Sequence, residues 1–187
     1  MRVIAGQRKG HPLKAVPGNN TRPTTDKIKE SLFSMIGPFF DGGKVLDLFA
    51  GSGGLGIEAL SRGMDQAIFI DQAAPAIKTI HENLRSTRLL EQAEVYRNDA
   101  FRALKLLAKN EHQFDLVLLD PPYKKQELEK LMLQLSELGL LRPACLVVCE
   151  HDKTVELPER VGSLRKIKAP TYGITVLSIY ELEEESE

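Results

Sequence analysis

The chain has 187 residues, of which 42% are hydrophobic and 27% are charged, and its formal net charge is −1. This length and apolar content suffice for one sizeable core and are short for two. The sequence contains no apolar run that approaches the ~20 residues of a membrane span, and its first residues lack the apolar stretch of a secretory signal. We therefore expect a soluble cytoplasmic protein without a membrane segment.

The cysteines and histidines indicate neither a disulfide nor a metal site. Cys145 and Cys149 are four residues apart in one predicted strand, where they share a face but lie too far apart to bond. We expect both to be reduced core residues. The four histidines have no metal-ligand spacing, so we expect no metal.

Basic side chains are concentrated near the amino terminus. Residues 1–30 carry seven of them against two acidic ones, whereas residues 181–187 carry five glutamates. A basic segment ahead of a near-neutral body is typical of proteins that contact nucleic-acid phosphates. A solvated terminus without a binding role would show the same surplus, so both interpretations stand. The candidate phosphate-binding residues are Arg2, Arg8, Lys9, Arg22, Lys27 and Lys29.

The amino-terminal part is predicted to form a small hairpin followed by a helix. Extended segments at residues 2–5 and 13–16 predict the hairpin, and residues 17–23 contain the prolines and glycine of a loop. Residues 26–36 have helical periodicity, with a threonine in position to cap the helix. We expect the helix to dock through Ile28, Leu32 and Ile36, members of an apolar stripe that also contains Met35.

Beyond residue 40, strands and helices alternate, which is typical of an α/β fold with a parallel sheet. We expect residues 1–40 to form an arm docked on a domain of residues 41–187. The predicted strands span residues 45–50, 67–71, 93–97, 114–119 and 144–149. A helix follows each of the first four strands. The helices after the second, third and fourth strands are predicted over about 74–86, 100–109 and 125–138. The last two strands, near 164–168 and 174–181, have too short a link for a helix and should pair antiparallel.

A glycine-rich loop follows the first of these strands. Gly51, Gly53 and Gly56 have the G-x-G-x-x-G spacing, which permits a tight turn and close approach of the backbone to a ligand. Twenty residues after Gly51, the next strand ends at Asp71, where a carboxylate can accept both hydroxyl hydrogens of a ribose.

Two cofactors fit such a loop, a nicotinamide dinucleotide and S-adenosylmethionine. A pyrophosphate needs the bare positive end of a helix. The ammonium and sulfonium of S-adenosylmethionine favour a nearby carboxylate, and Asp47 lies at the start of this loop. The position of Asp47 therefore favours the methyl donor.

The strand at residues 114–119 ends at Asp120-Pro121-Pro122-Tyr123. Prolines fix φ and remove backbone donors, so that the carbonyl groups of this turn remain acceptors. A carboxylate, fixed carbonyl acceptors and an aromatic ring suit the exocyclic amine of a planar nucleobase. A proline-rich turn in which Asp120 caps the next helix is the structural alternative.

These motifs resemble those of known enzymes. Residues 46–53 (Leu-Asp-Leu-Phe-Ala-Gly-Ser-Gly) resemble motif I of class I S-adenosylmethionine-dependent methyltransferases, and residues 120–123 resemble motif IV of amino-methyltransferases. Blocks at residues 2–6, 21–30 and 56–63 are similar to the bacterial 16S rRNA guanine-N2 methyltransferase family, often named for guanine 966. This resemblance runs through essentially the whole chain.

The resemblance implies a Rossmann-like sheet of seven strands in the order 3-2-1-4-5-7-6, with strand 7 antiparallel and a small amino-terminal hairpin-plus-helix extension. It implies methylation of the exocyclic N2 of a specific guanine in 16S rRNA, either free or within a partly or fully assembled small ribosomal subunit. S-adenosylmethionine would contact Asp47, Gly51, Ser52 and Gly53 at its methionine end, Asp71 at its ribose, and Asp99 and Ala100 at its adenine. Asp120, Pro121, Pro122 and Tyr123 would hold the target base.

Two of the implied roles have specific alternatives or departures. Family members frequently have Glu where this chain has Asp71, and the shorter acid reaches less far. Asp99 is also suited to capping the helix that follows it.

Three other functions fit part of the sequence. An N6-adenine methyltransferase acting on DNA or RNA shares both motifs, but such enzymes usually carry an added recognition region for which 187 residues leave little room. A nicotinamide oxidoreductase does not account for Asp120–Tyr123. A non-catalytic RNA-binding module accounts for the basic arm alone.

Overall fold

A computed structural model describes residues 1–18, 24–122 and 127–184. The chain divides into two compact units, Met1–Ala100 and Phe101–Glu187. Within the described residues, no helix has the length and apolar character needed to cross a membrane. The predicted division into an arm of residues 1–40 and a domain of residues 41–187 remains our proposal.

The first unit contains a parallel sheet with the strand order β3-β2-β1. Val45 of β1 is opposite Ala67 of β2, which in turn is opposite Ala93 of β3. The order agrees with one half of the expected 3-2-1-4-5-7-6. The strands are β1 (Lys44–Asp47), β2 (Gln66–Asp71) and β3 (Ala93–Arg97), and the helices are α1 (Asp26–Ile36), α2 (Gly54–Ser61) and α3 (Ala74–Ser86), with a 3-10 turn at Leu90–Gln92.

Helix α2 packs closely on the sheet because glycine occupies its inner face. A Cβ atom added at Gly56 would overlap the ring of Phe69 on β2. Seven of the eight residues of α2 are buried, which agrees with its nearly continuous apolar sequence. The close contact therefore requires glycine at position 56.

The predicted amino-terminal hairpin is reduced to one antiparallel bridge between Arg2 and Pro12. Around it, the Val3 amide donates to the His11 carbonyl at 2.9 Å, and the Gly10 amide donates to the Val3 carbonyl at 2.8 Å. We refer to residues 1–18 as the amino-terminal segment.

Helix α1 has the predicted bounds, and Thr25 caps it by accepting the Ile28 amide hydrogen at 3.2 Å. Its buried face differs from the predicted stripe, because Lys29, Leu32 and Phe33 are its buried residues. Ile28 and Ile36 are only half-buried, so the predicted docking face is wrong except at Leu32.

The second unit contains a mixed sheet with the strand order β4-β5-β9-β7-β6, and the short strand β8 pairs with β9. Its elements are α4 (Ala100–Lys109), β4 (Phe114–Leu119), α5 (Leu128–Glu137), β5 (Leu141–Asp152), β6 (Arg160–Val161), β7 (Leu164–Lys168), β8 (Thr171–Tyr172) and β9 (Thr175–Leu182). The strands β4 and β5 are parallel, whereas β9 is antiparallel to both β5 and β7. Counted as strands 6 and 7, β7 and β9 reproduce the other half of the expected order, with strand 7 antiparallel.

Both cysteines are free and buried on β5, as expected for reduced core residues. Burial raises the pKa of each thiol well above its usual range, and for Cys145 the nearby Asp115 adds to this effect. Both side chains are therefore neutral thiols at physiological pH and poor nucleophiles.

Gly56→Ala should destabilise the protein by about 1–3 kcal/mol, because the added methyl group forces the Phe69 ring or the helix to move. Gly54→Ala is the matched control on the same helix, since its Cβ would make only ordinary contacts with Met1 and Ser52. Denaturant unfolding of the two variants measures the difference. Equal stability of the two variants would contradict the packing argument.

Candidate cofactor and catalytic sites

The glycine loop joins β1 to α2 and has the backbone that its sequence predicts. Gly51 and Gly53 have φ values of +57° and +84°, in the left-handed region that favours glycine. The Gly53 amide donates to the Ala50 carbonyl at 2.8 Å, which closes the turn. Among the residues that the structure describes, no atom lies within 4 Å of a Cβ atom built at Gly51, so they leave this side of the loop open to a ligand.

Asp71 links the end of β2 to the glycine loop. Its Oδ2 accepts the Gly51 amide hydrogen at 2.8 Å, and its Oδ1 accepts the Ala73 amide hydrogen at 2.9 Å. Each carboxylate oxygen has a further lone pair, which can accept a ribose hydroxyl hydrogen. The half-buried carboxylate thus fits its predicted role and also fixes the loop, which the sequence did not indicate.

Asp47 is buried at the end of β1, with 3% of its surface exposed. Its Oδ2 accepts the Gly56 amide hydrogen at 3.1 Å, near the amino terminus of α2. A carboxylate at this helix end stabilises the helix dipole and would repel a pyrophosphate. This position therefore fits a cofactor with a cationic methionine end better than a dinucleotide.

Asp99 follows β3, and its Oδ1 accepts a hydrogen bond from the side-chain amide of Gln72 at 3.0 Å. The carbonyl oxygen of Gln72 in turn accepts from the Arg97 guanidinium at 2.9 Å. Gln72 thus links the ends of β2 and β3 beside the predicted adenine-binding residues, of which Ala100 is buried. The sequence motifs did not single out Gln72, whose one signal is its position directly after Asp71.

The predicted catalytic turn begins where β4 ends, in the second unit. Leu119, the last residue of β4, is opposite Cys149 of β5. Asp120 and Pro122 are exposed, whereas Pro121 is buried. A buried proline fixes the turn, and the exposed carboxylate is accessible to a substrate. Tyr123, predicted to stack on the target base, lies outside the described residues.

The prediction that Lys29 binds a phosphate is wrong. Lys29 is 1% exposed, and its Nζ donates to the Arg2 carbonyl at 2.5 Å and lies 3.7 Å from the Glu58 carboxylate. Burial lowers the pKa of Lys29, and the charge of Glu58 opposes this shift. Because its ammonium is enclosed by protein groups, Lys29 is not available to a phosphate.

The other basic candidates differ in their surroundings. Lys9 and Lys27 are exposed, and Arg2 is exposed with its Nε 3.5 Å from the Asp26 carboxylate. Arg8 is half-buried, and within the part of the chain that the structure describes its buried Nε has no hydrogen-bond partner. Arg22 lies outside that part.

Glu58 is a further residue that the motifs did not single out. It is fully buried on α2, and its carboxylate accepts the amide hydrogens of Ile4 and Ala5 at 2.8 and 3.1 Å. The Nε of Arg62 donates to the same carboxylate at 2.7 Å. A single glutamate within an otherwise apolar helix is the sequence signal for such a buried ion pair.

Residues 1–18, 24–122 and 127–184 contain no group of three or more His, Cys, Asp or Glu side chains that could hold a metal ion. The expectation of a metal-free enzyme remains a prediction.

Comparison with known proteins identifies the family. The family model described as "Conserved hypothetical protein 95" matches residues 1–181. The chain belongs to this family. "Putative rRNA methyltransferase YlbH" of Bacillus subtilis (strain 168) is 56% identical over 181 residues, which cover 97% of this chain and 98% of that protein.

Two further relatives extend the comparison. "Ribosomal RNA small subunit methyltransferase D" of Haemophilus influenzae is 35% identical, and the alignment covers 97% of this chain and 93% of that protein. The solved structure titled "Putative methyltransferase yhhF from Escherichia coli" has a TM-score of 0.82 at 29% identity and covers 99% of both chains. The expected methyltransferase fold is confirmed, and the names of these relatives support an rRNA methyltransferase over an N6-adenine methyltransferase.

Asp71→Ala should weaken S-adenosylmethionine binding by about 1–3 kcal/mol, because the ribose hydroxyls lose a charged acceptor. Turnover at saturating cofactor should stay largely intact. Asp71→Asn keeps one acceptor oxygen and should fall between wild type and the alanine variant. Calorimetric titration and initial rates on the same preparations make the comparison. Unchanged affinity with a collapse of turnover would show that Asp71 is not the ribose acid.

Proposed function

We propose that this protein transfers a methyl group from S-adenosylmethionine to the exocyclic N2 of a specific guanine in 16S rRNA. The observation that carries the proposal is the arrangement around the glycine loop. Asp71 holds the Gly51 amide, and the buried Asp47 occupies the end of α2 where a pyrophosphate would otherwise bind. A methionine-bearing cofactor satisfies this arrangement, and the family comparison supports the same activity.

The cofactor supplies an electrophilic methyl group when it is bound. Asp47 provides a fixed negative charge for its cationic methionine end, and Asp71 accepts hydrogen bonds from its ribose. The link between Asp99 and Gln72 fixes the wall beside its adenine. These residues all belong to the first unit, and they would bind and orient the cofactor.

The turn after β4 prepares the attacking amine. The N2 of guanine is a weak nucleophile because its lone pair is delocalised into the ring. Asp120 and the Pro121 carbonyl accept its two hydrogens, which favours a pyramidal nitrogen with an available lone pair. After methyl transfer the nitrogen would have one proton to release, and Asp120 or the solvent that reaches this exposed residue could accept it. Tyr123 stacks on the extruded base in this proposal.

The identity of the substrate rests on the relatives and on the basic amino-terminal part. The relative from Haemophilus influenzae is named for the small subunit of the ribosome. Arg2, Lys9 and Lys27 are exposed in this chain and suited to contacts with RNA phosphates. The proposed substrate is 16S rRNA, free or within a partly or fully assembled small subunit, and the proposed location of the enzyme is the cytoplasm.

Mass spectrometry of rRNA and DNA nucleosides from a deletion strain tests the proposed reaction. Loss of one N2-methylguanosine from 16S rRNA is the expected result, and its return on complementation ties the loss to this gene. Loss of N6-methyladenine from DNA or RNA, with N2-methylguanosine unchanged, would contradict the proposal.

Asp120→Ala should lower turnover by about a hundredfold or more and leave cofactor affinity nearly unchanged. Asp115→Ala on the same strand is the matched control. Its carboxylate pairs with Arg142 at 2.7 Å on the surface, and its loss should leave turnover near that of wild type. Single-turnover methylation and calorimetric cofactor binding measure both quantities. Near-wild-type turnover of the Asp120 variant would refute the assigned role.

Replacing Lys9, Arg22 and Lys27 together by alanine should reduce the salt slope of RNA binding by roughly two to three units, if each contacts one phosphate. Affinity should fall for RNA of any sequence, because phosphate contacts carry no base information. Lys130→Ala is the control, since this exposed lysine on α5 lies outside the amino-terminal part and should not change the slope. RNA affinity over a salt series makes the measurement. Parallel lines for the wild type and the triple variant would favour a solvated terminus.

A further inference from the structure

Asn83 joins two parts of the chain that are distant in sequence. It lies on α3 and is 1% exposed. Its Nδ2 donates to the carbonyl oxygens of Lys14 and Ser52, at 2.9 and 2.8 Å, and its Oδ1 accepts the Lys14 amide hydrogen at 2.9 Å. One planar amide group therefore holds the amino-terminal segment and the glycine loop at fixed positions.

The bond to Ser52 acts on the peptide plane at the centre of the glycine loop. The Ser52 carbonyl and the Gly53 amide belong to one peptide group, so fixing one fixes the other. The Gly53 amide donates to the Ala50 carbonyl at 2.8 Å, and Asn83 holds the opposite end of the plane. Without Asn83, the Ser52 carbonyl loses this buried donor. The peptide plane can then rotate more easily, because Gly53 on one side of it tolerates many backbone conformations.

A second contact joins the amino-terminal segment to the same loop. The Ser52 hydroxyl lies 3.7 Å from the Met1 sulfur, and the Met1 carbonyl accepts the Leu13 amide hydrogen at 2.9 Å. Met1 thus contacts the glycine loop, and Lys14 contacts Asn83, which holds that loop. The segment supports the cofactor loop in addition to presenting basic side chains.

We propose that Asn83 is a positioning residue of the cofactor site, through which the amino-terminal segment sets the conformation of the glycine loop. This inference rests on the proposed function, since it assumes that the loop binds S-adenosylmethionine. It follows that cofactor binding and ordering of the amino-terminal segment are linked, because each stabilises the arrangement that the other needs.

The test compares Asn83→Ala and Asn83→Asp with a control on the same helix. Aspartate has the same shape and keeps an acceptor for the Lys14 amide, but its carboxylate cannot donate to Ser52 or Lys14. The control is Thr79→Val, because Thr79 is also buried on α3 but its hydroxyl donates only within the helix, to the Pro75 carbonyl at 2.9 Å.

Both Asn83 variants should bind S-adenosylhomocysteine about tenfold or more weakly than wild type, as expected for loss of a buried hydrogen bond that orders the site. Thr79→Val should stay within about twofold. Calorimetry gives the affinities, and thermal unfolding without ligand establishes that each variant is folded at the temperature of the titration. Wild-type affinity in both Asn83 variants would overturn the inference.

Hydrogen exchange on the wild-type protein gives a second measurement that needs no variant. Saturation with S-adenosylhomocysteine should slow exchange of the Lys14 amide, which bonds to Asn83, together with amides of the glycine loop. Slowing confined to the loop would overturn the inference. A wild-type protein that binds no S-adenosylhomocysteine would instead overturn the proposed function.

Discussion

The carboxylate of Glu58 is fully buried in the middle of α2, and the chain surrounds it with two cations and two backbone donors. A buried charge costs several kcal/mol of solvation, which only close partners can offset. Here the partners come from α1 (Lys29), from the residue that caps the end of α2 (Arg62) and from the amino-terminal segment (Ile4 and Ala5). Removing any one of these partners would leave part of the Glu58 charge uncompensated. The interaction therefore fixes the positions of α1, α2 and the amino-terminal segment relative to one another.

This interaction explains why the amino-terminal segment belongs to the first compact unit. Glu58 binds the segment from α2, and Asn83 binds it from α3. Both helices follow the glycine loop in sequence, α2 directly at its end and α3 after Asp71. The proposed boundary near residue 40 marks a change in composition. By its contacts, the chain before this boundary belongs to the same compact unit as β1, β2 and β3. The basic part of the chain therefore supports the helices next to the proposed cofactor site.

Local sequence was sufficient to predict the elements whose order and loops form this site. Apolar runs predicted β1, β2 and β4, and the glycine spacing predicted the loop, because both features depend on residues that are neighbours in the chain. Strand β1 nevertheless ends at Asp47, three residues before its predicted end. The two-residue strands β6 and β8 escaped prediction because their pairing depends on partners elsewhere. Strand β5 also begins three residues earlier than predicted, at Leu141, ahead of a proline that is usually found at strand edges.

Lys29 shows why the rest could not be predicted from local sequence. Helical periodicity treats lysine as a solvent-facing residue, and on that basis Ile28 and Ile36 form the inner face. The partner that permits Lys29 to be buried is Glu58, which is far from it in sequence. A count of charged residues therefore overestimates the basic surface wherever a cation is paired inside the protein. Only the exposed basic side chains of the amino-terminal part are relevant to RNA binding.

The three carboxylates of the proposed mechanism differ in burial, and this difference assigns them different chemistry. Asp47 is buried, and its carboxylate is held in place by a hydrogen bond from the Gly56 amide. Asp71 is half-buried and bonded to two backbone amides, which leaves it the capacity of a hydrogen-bond acceptor. Asp120 is exposed at the end of β4, where a proton released by the amine can pass to water. We propose that these environments correspond to three roles in methyl transfer to an amine: a fixed charge at Asp47, a hydrogen-bond acceptor at Asp71 and a group in contact with solvent at Asp120.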